Sequence, residues 1–265
     1  MVDLSSMEAS LNELGDLKAT GENTAELLRR AVEATRKMPT VSGAGLMLVD
    51  GEQALRSVAA SDEAGHLLEA AQEDATEGPC VDSFVRNEVV TTSDVTADTR
   101  WPRLAPLLDS EQVRAVLGMP VHIGGGAVGT LNVYVDQPHE WTGTEIAALG
   151  AFAGVVDILL TSSVAHQRSD RLAQQLQYAL DYRVVIERAV GYLMHRDRVD
   201  SVAAFRVLRS TARNNRRKVV DVARDLLDGP PSEVQGGQAG RSATSLAGSV
   251  RRVNPARGRP HRDVE

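Results

Sequence analysis

The sequence is poor in cysteine and in aromatic residues, and both shortages restrict its chemistry. Cys80 is the single cysteine in 265 residues, so no disulfide can form within one chain. Phe, Trp and Tyr together make up 3% of the residues, which leaves Ala, Val and Leu to build the core. A single cysteine is typical of proteins in a reducing compartment, so we predict a cytoplasmic location.

Long apolar runs and clustered reactive groups are also missing. The longest apolar stretch, 146–160, is shorter than the about 20 residues of a membrane-spanning helix and contains Asp157. We therefore predict a core helix there and no membrane association. The six histidines show no metal-ligand spacing, and no catalytic triad or carboxylate pair stands out. The sequence predicts no catalytic residue, no metal site and no enzymatic activity, and it names no cofactor.

The net charge of −7 is unevenly distributed along the chain. Residues 1–165 carry 10 Lys or Arg against 25 Asp or Glu, whereas residues 166–228 carry 13 against 8. Residues 229–265 are again basic, with 6 against 3. An acidic front joined to a basic back favours two functions, with the basic part facing a polyanion. Solvated helix faces are the alternative explanation for the basic part.

The hydrophobic pattern predicts an α+β fold in which an antiparallel sheet is flanked by helices, followed by an all-α segment. In the sheet part, Asp50-Gly51 and Gly124–Gly126 are predicted hairpin turns, and Thr144 is predicted to cap a long helix. Strands are predicted at 44–49, 54–59, 89–95, 114–123 and 129–135, and helices at 22–38, 66–74, 101–108 and from 144. The predicted domains are a lead-in at 1–21, a sheet domain at 22–163, a helical segment at 164–228 and a disordered tail at 229–265.

A heptad pattern begins where the sheet domain ends. Its core positions are Ala165, Leu172, Leu176, Ala179, Ile186, Val190 and Leu193. Such a seam is the signature of a two-stranded coiled coil, so a homodimer is predicted. The alternative is a helix that packs within one chain. Arg183 falls in the seam, where its stem must pack and its charged head must reach water.

Residues 186–223 resemble the ANTAR family. The resemblance rests on the string from Ile186 to Met194 (IERAVGYLM), on Ala204-Phe205-x-x-Leu208-Arg209-x-x-Ala212, and on Val222-Ala223. Val190 stands where many members carry a lysine, so that position lacks the cation. The resemblance implies a three-helix module that binds paired stem-loops in nascent transcripts and prevents termination, with RNA polymerase as an indirect partner.

The basic segment supplies the residue types that RNA binding needs, namely cations for phosphates and adaptable side chains for unpaired bases. The turn 213–218 (RNNRRK) combines both, and Arg206, Arg209 and Arg213 are spaced to share a helical face. The predicted RNA-binding residues are Arg188, Tyr192, Arg206, Arg209, Arg213, Asn215, Arg216, Arg217 and Lys218. Tyr182 is a further candidate for base stacking. A helix-turn-helix that binds DNA, and a helical tail that binds a protein partner, are the alternatives.

Residues 24–163 resemble a GAF domain, a small-molecule sensor fold. The resemblance rests on Glu77-Gly78-Pro79-Cys80-x-Asp82, on the stretch 90–103, and on Gly129-x-Leu131-Asn132-Val133. It implies a small-molecule signal, whose identity the sequence does not give. Cys80 is a candidate ligand or redox contact, but its acidic neighbours raise a thiol pKa and favour a small buried residue instead. A sensor followed by an ANTAR module resembles the order in many actinobacterial regulators.

Overall fold

The computed structural model describes residues 24–108, 112–166 and 171–229. Five strands form one antiparallel sheet in the order β2-β1-β5-β4-β3. The strands are β1 (Gly43–Val49), β2 (Leu55–Ala60), β3 (Val90–Thr92), β4 (Ala115–Ile123) and β5 (Gly126–Val135). The α-helices are α1 (Thr24–Arg36), α2 (Glu63–Ala75), α3 (Pro79–Arg86), α4 (Gly143–His166), α5 (Arg171–Asp197), α6 (Ser201–Asn214) and α7 (Val219–Asp228), and a 3-10 turn covers Ala105–Leu107. The predicted α+β class is confirmed.

We call residues 24–166 the sheet domain. One face of its sheet carries a continuous apolar layer, in which Leu46 of β1 lies opposite Leu131 of β5 and Leu117 of β4 lies opposite Val133. Helices α1 and α4 cover this face, and the layer is fully buried. The other face is covered by α2 and α3. Burial on both faces explains why these strands read as apolar runs rather than as alternating patterns.

The two predicted hairpin turns differ in length. Gly124 and Gly125 join β4 to β5 with φ values of 58° and 80°, which a two-residue hairpin turn requires and which glycine adopts without strain. The link from β1 to β2 is longer than the predicted Asp50-Gly51 turn. There the Asp50 carboxylate accepts hydrogen bonds from the backbone N–H groups of residues 52 and 54. The residue with positive φ is Gln53, at 58°, rather than the glycine.

Helix α3 was not predicted, because Gly78-Pro79 reads as the end of the preceding helix. Helix α2 does end there, at Ala75, but Pro79 begins a second helix. Proline fits the first turn of a helix, where its missing N–H leaves no intrahelical bond unmade. Gly78 has a φ of 140°, and a Cβ at this position would lie 2.5 Å from Oε1 of Gln72. The tight junction thus sets α3 against the sheet.

Helix α4 is capped by Thr142, so the predicted cap at Thr144 is wrong. The Glu145 backbone N–H donates to the Thr142 hydroxyl over 3.3 Å, and the Glu145 carboxylate accepts from the Thr142 backbone N–H over 2.8 Å. This reciprocal pair places the cap one residue before the helix. Residues 143–164 are long and apolar enough to cross a membrane, and 44% of an 18-residue stretch within them is buried. In the structure α4 packs on β4 and α1 as a core helix.

We call residues 171–229 the helical module; α5, α6 and α7 form its core. Ile186 and Leu193 of the heptad seam are buried against α6 and α7, and Leu176 is buried in the core of the sheet domain. These seam positions are therefore used within one chain, as the alternative interpretation proposed. The side chains of Ala165, Leu172 and Ala179, the lead-in at 1–21 and nearly all of the tail lie outside the described residues. The homodimer stays a prediction.

Candidate functional site

The helical module docks on the sheet domain through α6 and α3. The rings of Phe84 and Phe205 meet edge to face, with centroids 6.1 Å apart. Nη2 of Arg86 lies 3.3 Å from the carboxylate of Asp200, which also caps α6 by accepting from the Ala203 backbone N–H. Helix α3, which the sequence did not reveal, is thus the surface on which the helical module packs.

Two of the predicted RNA-binding arginines face this interface. Nη2 of Arg206 lies 3.5 Å from the carboxylate of Glu77, a residue that is 1% exposed. Arg209 is half-buried, and burial lowers its pKa in spite of the nearby Asp50 carboxylate. Both side chains are therefore partly covered by the sheet domain in this arrangement.

The turn 213–218 lies open to solvent, and all six of its residues are exposed. Arg217 makes an ion pair with Asp225 over 2.6 Å, and the Asn215 side chain donates to the Thr211 carbonyl over 2.9 Å. Lys218 precedes α7, at whose N-terminus free backbone N–H groups favour anions. The structure thus places Arg213, Asn215, Arg216, Arg217 and Lys218 in one exposed basic turn.

An aromatic pair lies beside this turn. Nζ of Lys218 is 5.0 Å from the ring centroid of Tyr178, whose own centroid is 4.4 Å from that of Tyr182. The guanidinium of Arg224 lies 4.8 Å from the Tyr182 ring. Sequence reasoning missed Tyr178 and Arg224, although a spacing of four residues between the two tyrosines places both on one helical face. Together with the basic turn, they form a surface that combines cations with aromatic rings.

Arg188 and Tyr192 lie further along α5. Arg188 is exposed, whereas Tyr192 is half-buried with the Arg196 guanidinium 5.8 Å from its ring centroid. Both residues lie on α5, outside the basic turn 213–218. The predicted set is therefore divided into an exposed turn, two interface arginines and two residues along α5.

A buried polar cluster lies between the sheet and α2. Glu69 is 0% exposed, its carboxyl group accepts from the Ser57 hydroxyl, and Nδ2 of Asn132 lies 3.3 Å from its Oε1. Burial raises the pKa of Glu69 to about 8, against the lowering effect of these two hydrogen bonds. Oδ1 of Asn132 is buried and has no partner among residues 24–108, 112–166 and 171–229. A Cβ at Gly45 would collide with the Glu69 carboxyl group, so the cluster requires glycine there.

Cys80 lies beside this cluster at the start of α3. Its Sγ is 3.1 Å from Nε2 of Gln72, and its backbone N–H donates to Oε1 of the same side chain over 2.8 Å. Burial raises the pKa of the thiol to about 12. A protonated, fully buried thiol is a poor nucleophile. The burial of Cys80 agrees with the interpretation of this residue as a small core residue. Within the described ranges no group of three or more His, Cys, Asp or Glu is placed to hold a metal ion.

Comparison with known proteins assigns a family model to each of the two parts of the chain. The family model of the GAF domain matches residues 21–161, and that of the ANTAR domain matches residues 174–227. The GAF domain of a phosphoenolpyruvate-protein phosphotransferase from Acinetobacter is 17% identical, covers 63% of this chain and 97% of its own, and has a TM-score of 0.50. The phycocyanobilin-bound GAF domain of a cyanobacterial phytochrome is 11% identical, covers 61% and 97%, and has a TM-score of 0.51. No curated protein matches the chain.

At these identities the two solved structures establish the fold and no activity. The sensor fold and the attached output module together define a signal-responsive regulator. The chain belongs to the GAF domain family, since that match spans more than half of its residues, and it carries an ANTAR domain behind the sensor. The domain content is regulatory rather than enzymatic, and the resemblance to both families is confirmed.

Proposed function

We propose that the chain is a transcription antitermination regulator whose helical module binds stem-loop RNA in nascent transcripts. The observation that carries the proposal is the exposed basic turn 213–218 with Tyr178 and Tyr182 beside it. Cations that meet phosphates and aromatic rings that stack on unpaired bases are the combination that loop RNA recognition uses. RNA polymerase is an indirect partner. A homodimer, with one module for each of two hairpins, fits paired stem-loops.

The contact between α3 and α6 supplies a route from sensor to output. Glu77 lies between α2 and α3, and its carboxylate pairs with both Arg103 and Arg206. A small-molecule signal that moves α3 also moves the ion pair and the Phe84–Phe205 contact. Separation of the two helices exposes Arg206 and enlarges the cationic surface. In this mechanism the signal changes RNA affinity by changing how the helical module docks on the sheet domain.

The RNA proposal is tested with the full chain and three nucleic acids: a tandem-hairpin RNA, a single hairpin and a DNA duplex. We expect the tandem hairpin to bind tightest. The triple variant R213Q/R216Q/K218Q is expected to lose most of that affinity, because three exposed cations are removed from one surface. The control R29Q/R36Q/K37Q removes three exposed cations at α1 of the sheet domain and is expected to bind as the wild type does.

Other outcomes of this experiment contradict the proposal. Equal and weak binding to all three nucleic acids indicates that the basic turn is only solvated and that the module binds a protein partner. A preference for the duplex supports the helix-turn-helix alternative. An equal loss in both triple variants shows that net charge, rather than the turn, determines binding.

The docking route has its own test in Phe84→Ala. Phe84 belongs to the sheet domain, and an aromatic pair of this kind contributes about 0.5–1.5 kcal/mol. Its loss is expected to favour the undocked arrangement and to tighten RNA binding about two- to tenfold. Leu67→Ala, at an exposed apolar position of α2, is the control. If Phe84→Ala binds RNA with unchanged or weaker affinity, docking does not cover RNA-binding residues and the proposed route is wrong.

A further inference from the structure

A cavity lies where the helical module meets the sheet domain. Its volume is about 270 Å³, and residues from α3, the start of β5, α5 and α6 line it. That volume is just below the roughly 300–1,000 Å³ of small-molecule pockets, so it suits a small ligand. Its apolar walls include Phe84, Val85, Val128, Ile186, Met194 and Phe205. Glu69, Asn132 and Cys80 do not line it, so it is separate from the polar cluster of the sensor.

Arg183 gives this cavity a charged group whose hydrogen bonds are incomplete. Its Nε donates to the carboxylate of Glu187, which also lines the cavity and is 57% exposed. Its Nη1 is buried and has no hydrogen-bond partner in the described part of the chain. The guanidinium lies against the β4–β5 hairpin, where a Cβ at Gly126 would collide with Nη1. A buried cationic N–H group without an acceptor is destabilising, so this position favours an anionic acceptor.

We propose that this cavity binds a small monocarboxylate with an aromatic body. The carboxylate pairs with the Arg183 guanidinium, and the ring packs against the apolar wall that Phe84 and Phe205 form together. Arg86 also lines the cavity, but its guanidinium already pairs with Asp82 and Asp200, which leaves Arg183 as the group proposed to bind the carboxylate. Because the walls come from both the sheet domain and the helical module, the ligand stabilises the docked arrangement of the two.

Gly191 offers a way to block the cavity. It lines the cavity, and a Cβ at this position meets no atom within 4 Å. A leucine there therefore projects into open space at the cavity without a clash in its own helix. Gly154 of α4 is the matched control, since a Cβ there also meets nothing within 4 Å and the residue does not line the cavity.

The test is calorimetric titration of the full chain with 4-phenylbutyrate and with 4-phenylbutan-1-ol, which share a body and differ in the charged head. We expect saturable binding of the acid with one site per chain, and binding of the alcohol at least about tenfold weaker. Arg183→Gln is expected to weaken binding of the acid by a similar factor. Arg196→Gln, on the same helix and paired with Asp197, is expected to leave it unchanged. Gly191→Leu is expected to abolish binding and Gly154→Leu to retain it.

Three results overturn the proposal. These are the absence of saturable binding of the acid to the wild type, equal affinities for acid and alcohol, and unchanged binding in Gly191→Leu. If Arg183→Gln does not fold, the acid–alcohol comparison on the wild type and the two glycine variants still decide. None of these measurements involves RNA, so the RNA proposal and this one can fail independently.

Discussion

Replacement of Glu69 by glutamine should change how the stability of the sheet domain depends on pH. The carboxyl group is 0% exposed, and burial raises its pKa to about 8 from an ordinary value of 4.5. Between these two values the folded state keeps a proton that the unfolded state has released. The free energy of unfolding therefore falls as pH rises, by at most about 1.4 kcal/mol per pH unit from this group. The stabilisation that comes from the raised pKa of Glu69 is complete below pH 4.5 and is lost as pH rises through about 8.

Glutamine stays neutral throughout this range, so Glu69→Gln removes this dependence of the free energy of unfolding on pH. Relative to the wild type, the variant should gain roughly 2–3 kcal/mol of stability between pH 5.5 and pH 7.5. Urea unfolding at three pH values measures this difference, and both tryptophans, Trp101 and Trp141, lie in the sheet domain and report its unfolding. Glu63→Gln, at an exposed position of the same helix, is the control and should show no such trend. A stability difference between Glu69→Gln and wild type that does not change with pH would refute a neutral, buried Glu69.

Three further substitutions test the local reasoning. Gly45→Ala should lower the free energy of unfolding by about 1–3 kcal/mol, because the new methyl group collides with the buried Glu69 carboxyl group; stability equal to wild type in urea unfolding would contradict this. Thr142→Ala should lower it by about 1 kcal/mol through loss of the α4 cap, and Thr142→Ser should not. Asp200→Ala should lower the free energy of unfolding of the helical module by a similar amount through loss of the α6 cap. Thermal unfolding followed by circular dichroism measures this loss. If Asp200→Asn, which can still cap α6, destabilises equally, the cap is not the cause.

Much of the fold could be predicted because local sequence determines it. Five apolar runs separated by turn residues marked the strands, and Gly124-Gly125 marked one hairpin correctly. Helix α3 could not be predicted because proline is found both just after the end of a helix and in its first turn. The sequence pattern favours the first position for Pro79, whereas in the structure Pro79 begins α3. Heptad spacing alone does not show which surface covers a helix, so the dimeric coiled coil stays a prediction. In the structure α6 and α7 cover Ile186 and Leu193.

The candidate site divides in the same way. The basic turn 213–218 could be predicted because its charges are adjacent in sequence, and the structure leaves it exposed. The ion pair of Arg206 with Glu77 could not, since the two residues are far apart in sequence and meet only through docking. Glu69 was overlooked because a carboxylate in a helix usually faces water. Its burial becomes visible only in the structure, where Leu68 and Gln72 of the same helix are also fully buried.

The most direct test of RNA binding through the basic turn is the salt dependence of affinity for the tandem-hairpin RNA. Each phosphate contact adds roughly 0.7–0.9 to the slope of log affinity against log salt concentration. Loss of Arg213, Arg216 and Lys218 in the triple variant should therefore reduce the slope of the full chain by about 2–3. An unchanged slope in the triple variant would show that these residues do not meet phosphates, and it would contradict the proposed RNA-binding site.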